Sequence, residues 1–206
     1  MVNWAGPAAG IASVITVFLV GWLSPGHDMI HGYISTLSQT DAPLRAWYVA
    51  GGTVAAGLGI LFFAGRWRKG DSALHAVGLT CMIAFYVLHW MGAALVPCDA
   101  GCAWLTPTGR LHYAIGFAAF VNVGLGTILL SIHAKNRGLH IATGVFVAGA
   151  VALLITDRIG AWHGLAERFE VVALAAWMWW LATLPPSGTL HPGWPARQPA
   201  RMHQSG

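Results

Sequence analysis

The sequence is short of charge, and shortest of acids. Of 206 residues only 9% are charged, with 11 Lys or Arg and 7 Asp or Glu. A soluble domain averages about 25% charged residues. This deficit excludes a water-soluble globular protein, because there is too little polar side chain to cover its surface. Cysteine is nearly absent, at three residues, so a disulfide-dense scaffold is excluded as well. No basic patch interleaved with aromatics exists, so the net charge of +4 does not imply nucleic-acid binding. No internal repeat is visible. The first apolar segment has no Lys or Arg before it and no small-residue cleavage site after it, which reads as a retained span and not a signal peptide.

What is present is hydrocarbon. Hydrophobic residues make up 56% of the chain, and 11 are Trp, a residue that anchors helices at headgroup level. A span needs about 20 apolar residues. Six segments qualify: 4–23, 46–65, 73–96, 111–132, 138–156 and 166–184. The expected fold is all-α, a six-span bundle covering residues 1–184. The stretch 185–206 is rich in Pro and Gly without apolar period and is expected to be a disordered tail. The short loops set the orientation. One side holds Arg66, Arg68, Lys69, Lys135, Arg137, Arg197 and Arg201. The other holds only Arg45, Arg110, Arg158 and Arg168. Both termini are therefore expected in the cytoplasm, with the chain in a bacterial inner membrane. Small residues within the spans, such as Gly51 and Gly52, read as close helix packing.

All the acids except Asp71 fall on the outer side. The stretch "HDMIHGYISTLS" after the first span places His27, His31, Ser35 and Ser38 along one helical stripe, beside Asp28. With Ser24 and Pro25 as a start signal, it predicts a short interfacial helix over 25–39. His27 and His31 stand at i and i+4, a spacing competent for metal in principle. The loop "PCDAGC" carries Cys98, Asp99 and Cys102. A disulfide between the two cysteines is expected from their external loop and short separation, with metal ligation or a reduced pair as the alternatives. Arg110 and His112 begin the fourth span. Asp157, His163 and Glu170 bracket the entry to the last one, where Glu170 is deep enough to need a partner, from Arg110, Arg158 or Arg168. His89 lies about 10 Å inside the third span at 1.5 Å per residue, where ionisable groups are expensive and mark function by default. Arg110 is expected to meet an acid from another element, and His27 or His31 to meet His112 or His163. Replacing Arg110 is expected to destabilise more than replacing Arg66, read as a solvated cytoplasmic residue.

The stretches "ISTLSQTDAP", "ALVPCDAGC", "GRLHYAIGF" and "GLAERFEVVALAAW" together resemble the bacterial membrane family catalogued as domain of unknown function 998, from about residue 8 to 184. The family's first motif commonly reads Ile-Ser-Glu-Leu, and Thr36 stands here where the acid would be. The resemblance implies a six-span bundle and no established reaction. Three functions follow from the residues. The first is a non-enzymatic protein that binds a lipid or small amphiphile at its outer face. The second is a hydrolase with zinc on some of His27, His31, His112 and His163, where the metal would activate water. The third is a haem protein that uses His89 and a histidine of another span.

Overall fold

The computed structural model describes residues 3–68, 71–92, 95–102, 104–159 and 162–185, without the side chains of Asp157 and Arg158. The tail beyond residue 185, expected to be disordered, and the candidate side chain of Asp157 lie outside the described residues. Those residues form six helices and no strand: α1 (Ala5–Leu23), α2 (Arg45–Arg66), α3 (Ala73–Gly92), α4 (Pro107–Ala134), α5 (Arg137–Ile159) and α6 (His163–Thr183). The first five are long and apolar enough to cross a membrane. The sixth expected span coincides with α6, but Glu167, Arg168 and Glu170 sit in its first eight residues and keep it outside that set.

The elements start and stop where local chemistry requires. Thr106 accepts from the Gly109 amide and Pro107 occupies the first turn of α4, the favoured arrangement for a helix N-terminus. Ser72 caps α3 through the His75 amide. Two helices contain π turns, α1 at Thr16–Val20 and α3 at Val87–Gly92. The pair Gly51–Gly52 on α2 is what lets both approach it. A Cβ on Gly52 would meet the Trp90 ring at 2.5 Å, and one on Gly51 would strike the Thr16 side chain. The core runs the length of the bundle through Val17, Phe62, Phe63, Tyr86 and Trp177. Helix α6 packs against α1 and α5, and α3 against α4.

The interfacial helix expected over 25–39 does not form. The segment is a series of turns that ends in one 3-10 turn, Ile34–Ser38. Gly26 takes a left-handed φ of 76°. Asp28 Oδ1 accepts from the amides of Ile30 (2.8 Å) and His31 (3.0 Å), and this local side-chain bond competes with a helix.

The roles expected of Arg66 and Arg110 are reversed. Arg66 is 5% exposed. Its guanidinium stacks over Phe62 and donates to the Leu184 carbonyl at 3.3 Å. Arg110 is exposed and donates to the Trp104 carbonyl at 3.3 Å, with no ion pair among the described residues. Arg66 is buried because α6 returns its last turn over the end of α2. Arg66→Ala is therefore expected to cost about 2 kcal/mol and Arg110→Ala less than about 0.5. Melting of both variants in detergent checks the order, and equal shifts would reject it.

Candidate functional site

The segment 24–39 lies on the N-terminal end of α6, and Arg168 makes the most bonds between the two. Arg168 is 1% exposed. Its Nη1 donates to the carbonyls of Gly164 (2.8 Å) and Gly32 (3.3 Å), and its Nη2 lies 2.7 Å from His27 Nε2. A guanidinium only donates, so His27 Nε2 must accept. The Thr36 hydroxyl donates to the Tyr33 carbonyl at 2.7 Å and faces His27 Nδ1 at 3.2 Å. It therefore accepts from an Nδ1–H. His27 is held as one neutral tautomer between Arg168 and Thr36, the position where the resembling family carries an acid. Its pKa is lowered, first by burial, then by Arg168, with Asp28 opposing.

Three further contacts close the clamp. The Leu165 amide donates to the Ile30 carbonyl at 3.0 Å. The Ile34 amide donates to the Glu167 carboxylate. Tyr33 stacks on His163 with ring centroids 4.1 Å apart. Gly164 is required where the two backbones touch, since a Cβ there would collide with the Gly32 carbonyl. The charge of Arg168 is faced by Glu167, Tyr48 and Asp28.

A second joint links this segment to the loop after α3. Gln39 donates to the Asp99 carbonyl at 2.8 Å, and Ser35 Oγ lies 2.9 Å from Cys102 Sγ. Cys98 and Cys102 are paired as a disulfide in this structure. Asp99 accepts from the Thr106 hydroxyl (2.6 Å) and amide (2.9 Å), and these bonds lower its pKa. Ser38 is fully buried and donates to the Ser35 carbonyl, while Arg45 donates to the Ser38 carbonyl.

The structure thus brings His27, His163, Ser35 and Ser38 into one connected region, together with Arg168, Glu167, Tyr33, Thr36 and Gln39. Of the last five, the sequence points to Arg168 only as an outer-side charge and possible partner of Glu170, and to Thr36 only as a departure from the family motif. Glu167, Tyr33 and Gln39 are not among its candidates. A signal for Arg168 was present: a cation one turn inside an apolar helix needs partners. Other candidates go elsewhere. His31 is exposed and pairs with Asp28 at 2.9 Å, which holds the Asp28 carboxyl well below its usual range through the His31 amide and ring and the Ile30 amide. His112 donates to the Val96 carbonyl. The side chains of Asp99 and Arg110 serve their own loop. His89 sits among Phe85, Trp90 and Phe120.

The metal and haem readings lose their geometric support. His27, His31, His112 and His163 each face a different partner, and no three His, Cys, Asp or Glu among the described residues are grouped to hold a metal ion. His27 and His31 separate because the helix that would align them is absent. His89 lines a cavity of about 20 Å³ with Ser13, Tyr86 and Leu174. That is room for a single water and far too small for a tetrapyrrole.

Buried polar atoms left without a partner are few in native proteins, and each calls for an explanation. Among the described residues six side-chain atoms qualify, and five belong to the end of the bundle that carries the segment 24–39: Ser24 Oγ, His163 Nδ1, Arg168 Nε and both oxygens of Glu170. Below them, an apolar groove of about 460 Å³ runs between α1 and α6, lined by Ile11, Ile15, Val172, Ala176, Trp179 and Trp180.

No curated protein and no solved structure matches the chain. The family model described as "Protein of unknown function (DUF998)" matches residues 7–184, the span that holds both the clamp and the groove, so the chain belongs to the DUF998 family.

Proposed function

We propose that this is a multi-pass protein of the inner membrane, with both termini cytoplasmic, that binds a lipid or small amphiphile along α1 and α6, its head at the outer ends of the two helices and its tail in the groove between their inner halves. No reaction is assigned to it. The observation that supports the reading is the set of unsatisfied polar atoms at the clamp, on the two helices that form the groove. Ser24 closes α1, and His163 and Arg168 open α6. A headgroup carrying acceptor oxygens meets the Arg168 Nε–H and the Ser24 hydroxyl, and charge-assisted bonds of this kind are strong. The hydrocarbon then runs down the groove, whose volume falls in the range of small-molecule sites. The segment 24–39 covers the head.

The test is native mass spectrometry of the protein extracted in mild detergent. The wild type is expected to retain one amphiphile. Ala176→Trp, at an exposed position in the groove, and Ser24→Ala, at the clamp, are each expected to lower occupancy about tenfold, equivalent to about 1.4 kcal/mol. Unchanged occupancy in both variants, or a wild type with no retained amphiphile, would overturn the reading.

A further inference from the structure

The carboxyl of Glu170 is not part of the clamp. Arg168 and Glu170 are two residues apart on a helix, so they point to nearly opposite sides. Arg168 faces the segment 24–39, whereas Glu170 faces α5. Glu170 is 3% exposed, and neither of its oxygens has a partner among the described residues. A Cβ placed on Gly149 of α5 would lie 3.5 Å from Glu170 Cγ and 3.0 Å from the Phe169 ring. The backbone of α5 therefore packs directly against the carboxyl-bearing side chain.

The charged groups around it are few. On α6 the neighbours are Glu167, one turn outward, and Arg168, whose fork is engaged by Gly32, Gly164 and His27. Helix α1 has no ionisable side chain. Helix α5 has none from Ile141 to Thr156. Arg158 is nine residues beyond Gly149, about 13 Å along the helix. On α3, Tyr86 and His89 line the cavity that Val171 also lines. An ionised carboxylate in this setting costs several kcal/mol without a partner. A proton removes that cost and needs no space.

We propose that Glu170 is a proton-binding site sealed by α5, so that docking of α5 on α6 and protonation of Glu170 are linked. The carboxylate takes up one proton as α5 closes over it and releases it to water as the interface opens. Helix α5 suits this role because it is the least buried of the five candidate spans, at 22% of its apolar window. The proposal does not depend on amphiphile binding.

The experiment is labelling of the full-length protein by dicyclohexylcarbodiimide, an apolar reagent that adds to protonated carboxyls and rearranges to a stable N-acylurea. The wild type, in detergent and in phospholipid vesicles, is expected to carry the adduct at Glu170 by peptide mass spectrometry. Glu170→Gln is expected to carry none. The labelling rate is expected to fall about tenfold per pH unit once the carboxyl ionises. Gly149→Leu forces α5 away from Glu170 and is expected to shift that fall to lower pH, since a wet carboxyl ionises more readily. Absence of adduct at Glu170 in the wild type would overturn the proposal. So would a Gly149→Leu profile that superimposes on the wild type, because protonation and α5 docking would then be independent. Neither result bears on amphiphile occupancy, which is read separately.

Discussion

Arg168→Ala is expected to release the segment 24–39 from α6 and to destabilise the protein by about 3 kcal/mol. The reason is the number of groups that one guanidinium satisfies. Its loss strands the Gly32 carbonyl and His27 Nε2 and leaves a hole beside Gly21, where the fork now packs. Hydrogen bonds to a charged group contribute about 1.5–3 kcal/mol each, and leaving their partners unmade costs more than the bonds contribute. Arg168→Lys is expected to recover little, because one ammonium cannot span the three directions that the planar fork spans. Hydrogen exchange reports it directly. The amides of Leu165 and Ile34, bonded across the joint to Ile30 and Glu167, should lose protection in Arg168→Ala while the inner halves of α2 and α4 keep theirs. Retained protection at both amides would show that the remaining contacts hold the segment without Arg168.

The same joint is expected to open in acid. Neutral His27 accepts from Arg168, and its pKa lies below the ordinary value of 6.5. A group whose folded pKa is depressed lends its stability above the unfolded value and loses it as pH falls through the folded one. Docking of 24–39 should therefore be complete above about pH 6.5 and weaken below it. Protonated His27 would place a second cation against Arg168. The other charged groups near it are Asp28, which favours the cation, and Glu167, which binds Ile34. Asp28 itself stays ionised through this range, since its pKa is lowered by the His31 and Ile30 bonds. His27→Gln should abolish the pH response, because its carbonyl can accept from Arg168 while its amide donates to Thr36. The check is exchange at Leu165 and Ile34, corrected for intrinsic rate, in wild type and variant. Acid opening that survives in His27→Gln would assign the response to another group.

The clamp illustrates how far sequence reasoning reached. The polar stretch 27–38 stands out in the sequence because it interrupts hydrocarbon, but its spacing does not reveal its internal geometry. The i, i+4 spacing of His27 and His31 suggested a helical pair. Local bonds from the Ile30 and His31 amides and the His31 ring to Asp28 are enough to turn His31 outward. Arg66 and Arg110 show the same limit. Each is an Arg at a helix end near a loop, and nothing local distinguishes the one that α6 covers from the one left in solvent. The depth of Glu170 in α6 leads to the expectation of a partner from Arg110, Arg158 or Arg168, and neither of its oxygens has one among the described residues. That none of the described groups supplies one could not be seen, because it depends on Arg168 turning the other way.

By itself the sequence determined the chain's class, the helix boundaries to within a few residues and the crowding of polar groups at one end. These follow from length, apolar composition and local capping, all of which act within a few residues along the chain. Only the tertiary structure decided which of those polar groups meet. A hydrogen bond between Arg168 and His27 spans 141 positions, and its partners are selected by how α1 and α6 pack, which no local pattern encodes.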